Sequence, residues 1–285
     1  MITRHVSRVA SDAGFLLGEG PVWDAARQRL LWVDIMAGDV HEGRLGADGR
    51  IVTTGVWSFE QSVGAVAVAE TGDLLVAQRE TLTRVHTDGR RTPLARVLPE
   101  GSPGRLNDGA VDPDGRFLVG SLGNDREVLV RFEGGGCTVI DDDLTLSNGL
   151  AWSPAGDRFY SVDTLSRTVY VRDYPDGARS VLFTVADGYP DGLCVDAAGN
   201  LWLAVWGGGR VECRSAEGEL LAVVEVDAPH TSSVAFAGPE LDVLVITTAT
   251  QDLSPGDLAR HPSSGRLFTA RVGTGLRTPY WRSGS

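Results

Sequence analysis

A short motif, in which a polar residue is followed by glycine and an apolar run, recurs along the whole chain. Its first copy is Leu17–Asp24, with the sequence LGEGPVWD. The motif glycine, replaced by serine in the last copy, stands at Gly20, Gly64, Gly109, Gly149, Gly192 and Ser233. The intervals are 44, 45, 40, 43 and 41 residues, which is the period of four-stranded propeller blades.

The segments between the copies have the pattern of short strands joined by tight turns. After the first copy, strands are predicted at 30–34, 39–45 and 50–56, and Gly46–Gly49 is a turn. The sequence therefore predicts an all-β fold, a six-bladed β-propeller of four-stranded antiparallel blades, as a single domain over residues 1–285. A β-sandwich is the structural alternative, but it does not predict a six-fold repeat. A turn of helix is expected only at Pro255–Arg260.

An additional strand is predicted at Ile2–Val9, before the first copy of the motif. We expect it to complete the blade formed mainly by Ser233–Gly273 and so to close the ring. Closure would remove an exposed sheet edge.

Composition excludes several classes of function. The formal net charge is -12, which argues against nucleic-acid and anionic-membrane partners because both require a basic face. All 26 basic residues are arginine, so Schiff-base and Walker-type lysine chemistry is excluded. Three scattered cysteines suggest neither a disulfide framework nor a zinc site. With no signal-peptide or spanning pattern in the chain, we expect a cytoplasmic protein.

Four of the six copies carry a metal-ligand type of residue directly before the motif glycine: Glu19, Asp108, Asn148 and Asp191. The first strand of each propeller blade lines the central channel, so equivalent positions converge at one mouth. Asn and Asp before glycine are also common turn formers, whereas Glu is not, which favours a ligand role. Glu19, Asn148 and Asp191 offer only oxygen donors. We therefore expect one divalent metal ion, with Ca²⁺ as the first choice and Mg²⁺, Mn²⁺, Zn²⁺ or Fe²⁺ as alternatives.

Four motifs in this order resemble one known family. They are Leu17–Trp23, Gly104–Gly109, Leu146–Ser153 and Pro190–Asp196. Together they resemble the family of senescence marker protein (regucalcin), gluconolactonase and luciferin-regenerating enzyme. The resemblance implies a six-bladed propeller in which Glu19, Asn148 and Asp191 hold one divalent metal. It also implies a sugar-lactone substrate contacted by Arg105 and Asn107.

The implied function is metal-dependent hydrolysis of a sugar lactone to the aldonic acid by a monomeric gluconolactonase-like enzyme of carbohydrate metabolism. Asp191 is the expected catalytic residue, as general base or as nucleophile, and Asp108 is either structural or the next candidate base. Two alternatives remain: a non-catalytic calcium-binding propeller, and a phosphotriester hydrolase using the same metal site. The stretch at 122–127 departs from the family pattern, so the identity of the lactone is not carried over.

Four other aromatic side chains and one group of glycines have structural interpretations. Trp23 and Trp152 fall inside predicted strands and are expected in the core. His230 precedes the sixth inner strand and could reach the channel mouth, although a lone histidine is more commonly a surface or capping residue. Trp206 and Gly207–Gly209 are expected to form a hairpin turn, because no helix follows as a phosphate loop requires.

Overall fold

The computed structural model describes residues 2–124 and 126–282 and confirms the predicted propeller. The first half contains, in chain order, β1 (Thr3–Val6), β2 (Arg8–Val9), β3 (Gly18–Asp24), β4 (Arg29–Asp34), β5 (Asp39–Leu45), β6 (Ile51–Ser58), β7 (Val63–Val68), β8 (Leu74–Gln78), β9 (Thr81–Val85), β10 (Arg91–Arg96), β11 (Arg105–Val111), β12 (Phe117–Leu122), β13 (Glu127–Glu133) and β14 (Gly136–Leu144). The second half contains β15 (Ser147–Trp152), β16 (Arg158–Asp163), β17 (Thr168–Asp173), β18 (Ser180–Thr184), β19 (Tyr189–Val195), β20 (Leu201–Trp206), β21 (Arg210–Arg214), β22 (Leu220–Glu225), β23 (Thr231–Ala237), β24 (Val243–Thr248), α1 (Pro255–Arg260) and β25 (Phe268–Ala270).

The motif forms the innermost strand of every blade, and these strands form a closed ring. β3, β7, β11, β15, β19 and β23 each contact the next, and β23 contacts β3. Pairing with the second strand of the same blade shifts register at the motif, for example between Glu19 and Val22 and between Asn148 and Leu150. All six inner strands carry such an irregularity. Because a β-bulge redirects side chains locally, the repeat places a reoriented side chain at one level in each blade.

Three of the motif glycines, Gly64, Gly149 and Gly192, are required by close contact between neighbouring inner strands. A Cβ at Gly64 would lie 2.4 Å from the carbonyl oxygen of Asn107 in the next blade. A Cβ at Gly149 would lie 2.4 Å from the carbonyl oxygen of Asp191, again in the next blade. Real Cβ atoms do not approach oxygen this closely, so at these positions the inner strands can touch only because the side chain is a hydrogen atom.

The hydrophobic core is divided among the junctions between blades. Among the described residues, each buried cluster draws mainly on two adjacent blades, and the clusters together cover every junction of the ring. The junction between the last and first blades is one of them, where Val245 packs with Leu30 and Trp32. Trp23 and Trp152 are buried in two of these clusters, which confirms their predicted core position.

The N-terminal segment closes the ring, but not as one strand. β2 pairs antiparallel with β25 and completes the last blade, as predicted. β1 instead pairs parallel with β22 and adds a fifth strand to the neighbouring blade. The expectation that the whole of Ile2–Val9 lies in the last blade is therefore wrong. The break at Ser7, whose N–H donates to the Glu225 carbonyl, lets the segment cover two outer edges.

The last described segment crosses the face opposite to the motif side chains and ties several blades together. Its contacts are hydrogen bonds from Gly275 to Leu241, from Ala197 to Thr274, from Trp281 to Val68 and from Arg282 to Gly115. Between these anchors, residues 276–279 cover one end of the central channel, a cavity of about 340 Å³. The side chain of Trp281 is buried among residues of the second and third blades.

α1 is the short helix expected at Pro255–Arg260 and begins with a Ser254 capping box. Within the described part of the chain, no helix has the length and apolar character needed to cross a bilayer.

The glycine contacts generate a stability test. We expect Gly149→Ala to lower the free energy of unfolding by about 1–3 kcal/mol, because the new Cβ forces β15 away from β19. Gly55→Ala is the matched control, since its Cβ would meet only Glu42 Cβ at 3.7 Å. Urea denaturation measures both variants. Equal stability of Gly149→Ala and Gly55→Ala would contradict the close contact.

Candidate active site

The three predicted metal ligands lie buried at the bulges of β3, β15 and β19. Glu19 is 6%, Asn148 5% and Asp191 5% exposed. Glu19 Oε2 accepts a hydrogen bond from the Gly20 N–H at 2.8 Å, and Asn148 Oδ1 accepts one from the Gly149 N–H at 3.2 Å. The same local bond therefore holds two of the three side chains in position on their strands.

The acidic side chains of the motif are close enough to affect each other's ionisation. Burial, and then the nearby Asp108 carboxylate, raise the pKa of Glu19 to about 8. Burial raises the pKa of Asp108 to about 6. Burial, followed by Glu19 and Asp108, raises the pKa of Asp191 well above its ordinary value. The repeat thus brings the carboxylates of three different blades to one mouth of the channel.

Asp191 has an oxygen without a partner. Its Oδ1 is buried and accepts no hydrogen bond from any described residue. A buried carboxylate oxygen without a donor is costly, because the group has lost its hydration without replacement. This oxygen is therefore the clearest candidate to contact a cation or a hydrogen-bond donor of a ligand.

Asn148 is oriented by a residue that sequence analysis missed. Its Nδ2 donates to Thr164 Oγ1 at 3.1 Å, and that hydroxyl donates to the carbonyl oxygen of Pro190 at 2.9 Å. Thr164 directly follows β16, so the bond crosses from the second strand of one blade to the inner strand of the next. The bond fixes the orientation of the amide, so Oδ1 is the atom available to a cation, and the Asn148 side chain also hydrogen-bonds Asp191, which partly offsets the rise of the Asp191 pKa. A lone threonine after a strand gives no sequence signal for this role.

Arg105 supplies a positive charge beside the carboxylates. Its Nη1 donates to Asn107 Oδ1 at 2.6 Å and to the Leu106 carbonyl oxygen at 3.1 Å. Burial lowers the pKa of Arg105 to about 10, opposed by the charges of Glu19 and Asp191, so the side chain remains cationic at neutral pH. Asn107 donates through Nδ2 to the Ser147 carbonyl oxygen at 3.0 Å. Asn107 therefore fixes Arg105 to the inner strand of the next blade.

The loop that departs from the family pattern is organised by a buried acid. Glu127 accepts hydrogen bonds from Ser121 Oγ at 2.6 Å and from the backbone and side chain of Asn124 at 2.5 and 2.9 Å. A Cβ at Gly104 would lie 2.5 Å from Asn124 Nδ2. The short loop is thus packed directly against the residue that precedes Arg105. Asp125 lies outside the described residues.

The two motif copies without an acid or amide are used for packing. Val63 is fully buried between the first two blades. Ser232 Oγ donates to the Gly18 carbonyl oxygen at 2.6 Å and so joins the last blade to the first beside Glu19.

The donor set fits a hard cation. In the part of the chain that the structure describes, no three His, Cys, Asp or Glu side chains are grouped closely enough to hold a metal ion. A site here must therefore include the Asn148 amide oxygen with the carboxylates of Glu19 and Asp191. Carboxylate and amide oxygens are the ligands that Ca²⁺ and Mg²⁺ prefer. The partnerless Asp191 oxygen is consistent with this fit.

These features define a six-bladed propeller with a buried, acidic, oxygen-donor site at one end of its channel. The chain belongs to the SMP-30/Gluconolactonase/LRE-like family, whose model matches residues 17–250. The resemblance noted from the four motifs is thereby confirmed.

Relatives cover almost the whole chain. A pentonolactonase of Haloferax volcanii is 36% identical over 98% of this chain and 98% of its own length. A 6-deoxy-6-sulfogluconolactonase of Pseudomonas putida is 34% identical over 90% of this chain and 91% of its own. Among solved structures, a calcium-binding regucalcin from Agrobacterium tumefaciens superposes with a TM-score of 0.92, at 28% identity over 99% of both chains.

Proposed function

We propose that this protein hydrolyses a sugar lactone to its aldonic acid, with one divalent cation held by Glu19, Asn148 and Asp191. The observation that carries the proposal is the buried Asp191 carboxylate, whose Oδ1 has no partner among the described residues and which lies in the field of Arg105. The family relatives named as lactonases support the reaction class. Ca²⁺ is the cation that we propose first.

The cation would neutralise the clustered carboxylates and polarise the lactone carbonyl as a Lewis acid. Arg105 donates to oxygen atoms of the substrate, because its planar fork suits carbonyl and hydroxyl oxygens. Asn107 holds that fork in place through its 2.6 Å hydrogen bond. The buried site excludes bulk water and so strengthens both effects.

Asp191 is the proposed proton acceptor. It takes a proton from the water that adds to the carbonyl carbon, and the proton then passes to the ring oxygen as the ester C–O bond breaks. The products are a carboxylic acid and a free hydroxyl on one open chain, so the atoms of water are fully accounted for. Removal of a positioned base typically costs about 100-fold or more in rate.

The first test is a pH-indicator assay with and without chelator. Glucono-δ-lactone, a pentono-γ-lactone, γ-valerolactone and a phosphotriester serve as substrates. We expect hydrolysis of the hydroxylated lactones and at least a ~100-fold loss after chelation, restored by added Ca²⁺. γ-Valerolactone, which lacks ring hydroxyls, should be a poor substrate.

Each alternative result identifies a different function. Phosphotriester cleavage without lactone cleavage would favour the phosphotriesterase. Calcium binding without any turnover would favour the non-catalytic propeller. Full lactonase activity in exhaustively chelated protein would contradict the metal dependence.

The second test separates the base from the ligand. In Asp191→Asn we expect lactone hydrolysis to fall ~100-fold or more while a cation still binds, because an amide oxygen coordinates but cannot accept the proton. Asp187→Asn is the control, since the Asp187 side chain is 93% exposed and should leave activity unchanged. Near-normal turnover in Asp191→Asn with intact metal binding would restrict Asp191 to a ligand role.

A further inference from the structure

A stacked pair of aromatic rings stands at the same mouth of the channel, outside the set of residues used above. The rings of Trp206 and His230 lie 4.0 Å apart with an interplanar angle of 15°. Trp206 is the last residue of β20 and pairs with Tyr189, two residues before Asp191. His230 directly precedes β23, and its backbone forms an isolated bridge with Trp206. The pair thus spans the fifth and sixth blades next to Asp191.

The position of Trp206 is used differently in the other blades. The last residues of the five other second strands are Asp34, Gln78, Leu122, Asp163 and Thr248. Asp34 accepts hydrogen bonds from the Leu16 and Leu17 N–H groups, and Asp163 accepts one from the Thr145 N–H. These side chains therefore complete the fold of their own blades. Trp206 packs in part against the hydrophobic cluster of the first two blades, but no described residue accepts a hydrogen bond from its indole nitrogen, and the residue is part-exposed.

His230 is fixed and has a defined donor and acceptor pattern. Its Nδ1 lies 2.9 Å from the Gln251 carbonyl oxygen, and its own carbonyl accepts a bond from the Ala249 N–H at 3.0 Å. A carbonyl only accepts, so Nδ1 carries the proton and Nε2 is left as an acceptor. Burial lowers the pKa of His230, which agrees with a neutral ring. The pair offers one free indole N–H donor and one free imidazole acceptor.

An aromatic surface with a donor and an acceptor at its edge matches a cyclic polyol, whose C–H face is apolar and whose rim carries hydroxyls. Building on the proposed lactonase function, we propose that Trp206 and His230 form a wall of the substrate site that binds the sugar ring away from its reacting carbonyl. This wall selects hydroxylated ring lactones over simple ones.

Kinetics of Trp206→Leu test the proposal. We expect KM for glucono-δ-lactone to rise on the order of 10-fold with kcat within about twofold, because a group remote from the carbonyl binds ground and transition states equally. Trp206→Phe keeps an aromatic ring face but loses the indole N–H. Its KM should therefore lie between that of the wild type and that of Trp206→Leu. Trp57→Leu is the matched control, since Trp57 is also part-exposed and packs against the same core cluster, but lies on the outer strand β6.

A binding measurement makes the test independent of turnover. We expect 1,5-anhydroglucitol, a cyclic polyol that cannot be hydrolysed, to quench tryptophan fluorescence in wild type and in Trp57→Leu but not in Trp206→Leu. Thermal unfolding checks that each variant is folded, and Trp206→Phe replaces Trp206→Leu if the latter does not fold.

The outcomes separate this proposal from the lactonase proposal. If the wild type hydrolyses lactones but Trp206→Leu has an unchanged KM and unchanged quenching, the proposed role of Trp206 and His230 is wrong. The lactonase proposal would still stand. If quenching depends on Trp206 but the protein hydrolyses no lactone, polyol binding by Trp206 and His230 is supported and the lactonase proposal is contradicted. Absence of polyol quenching in the wild type would overturn the wall.

Discussion

Contact between neighbouring inner strands is the constraint on which the rest of this structure depends. At three of the six blade junctions a motif glycine meets the inner strand of the next blade, as Gly149 meets the Asp191 carbonyl oxygen at a distance that would exclude any Cβ. The register shift that recurs in every inner strand places the residue before each motif glycine at the same level, so one repeated motif builds both the propeller and its candidate site.

The same geometry creates an electrostatic cost. Glu19, Asp108 and Asp191 are brought to one mouth of the channel, and burial raises the pKa of each. Arg105 offsets part of this cost, because a positive charge nearby stabilises the ionised carboxylates. One arginine does not balance three acids, and Asp191 keeps an oxygen without a donor. A divalent cation would supply the missing compensation, which is the physical reason for proposing one at this site.

The fold and much of the site could be predicted from the sequence because the repeat encodes them directly. The spacing of the motif glycines predicted the six blades. The oxygen-donor side chains before those glycines indicated Glu19, Asn148 and Asp191 as site residues. Features that depend on contacts between distant segments could not be predicted. Thr164 orients Asn148 through a hydrogen bond next to a blade junction. Trp281, near the end of the chain, packs into the core between the second and third blades. Residues Ile2–Val9 divide between two blades. Trp206 and His230 lie far apart in the sequence and come together only because an isolated β-bridge joins the fifth and sixth blades.

The most direct measurement of the central claim is calorimetric titration of metal-stripped protein with Ca²⁺. The account predicts one ion per chain, with affinity weakened at least ~10-fold in Asn148→Ala and unaltered in Asn200→Ala, whose side chain bonds Asp196 in the turn between β19 and β20. The absence of a Ca²⁺ site, or a site that Asn148→Ala leaves unaffected, would contradict a cation bound by Glu19, Asn148 and Asp191.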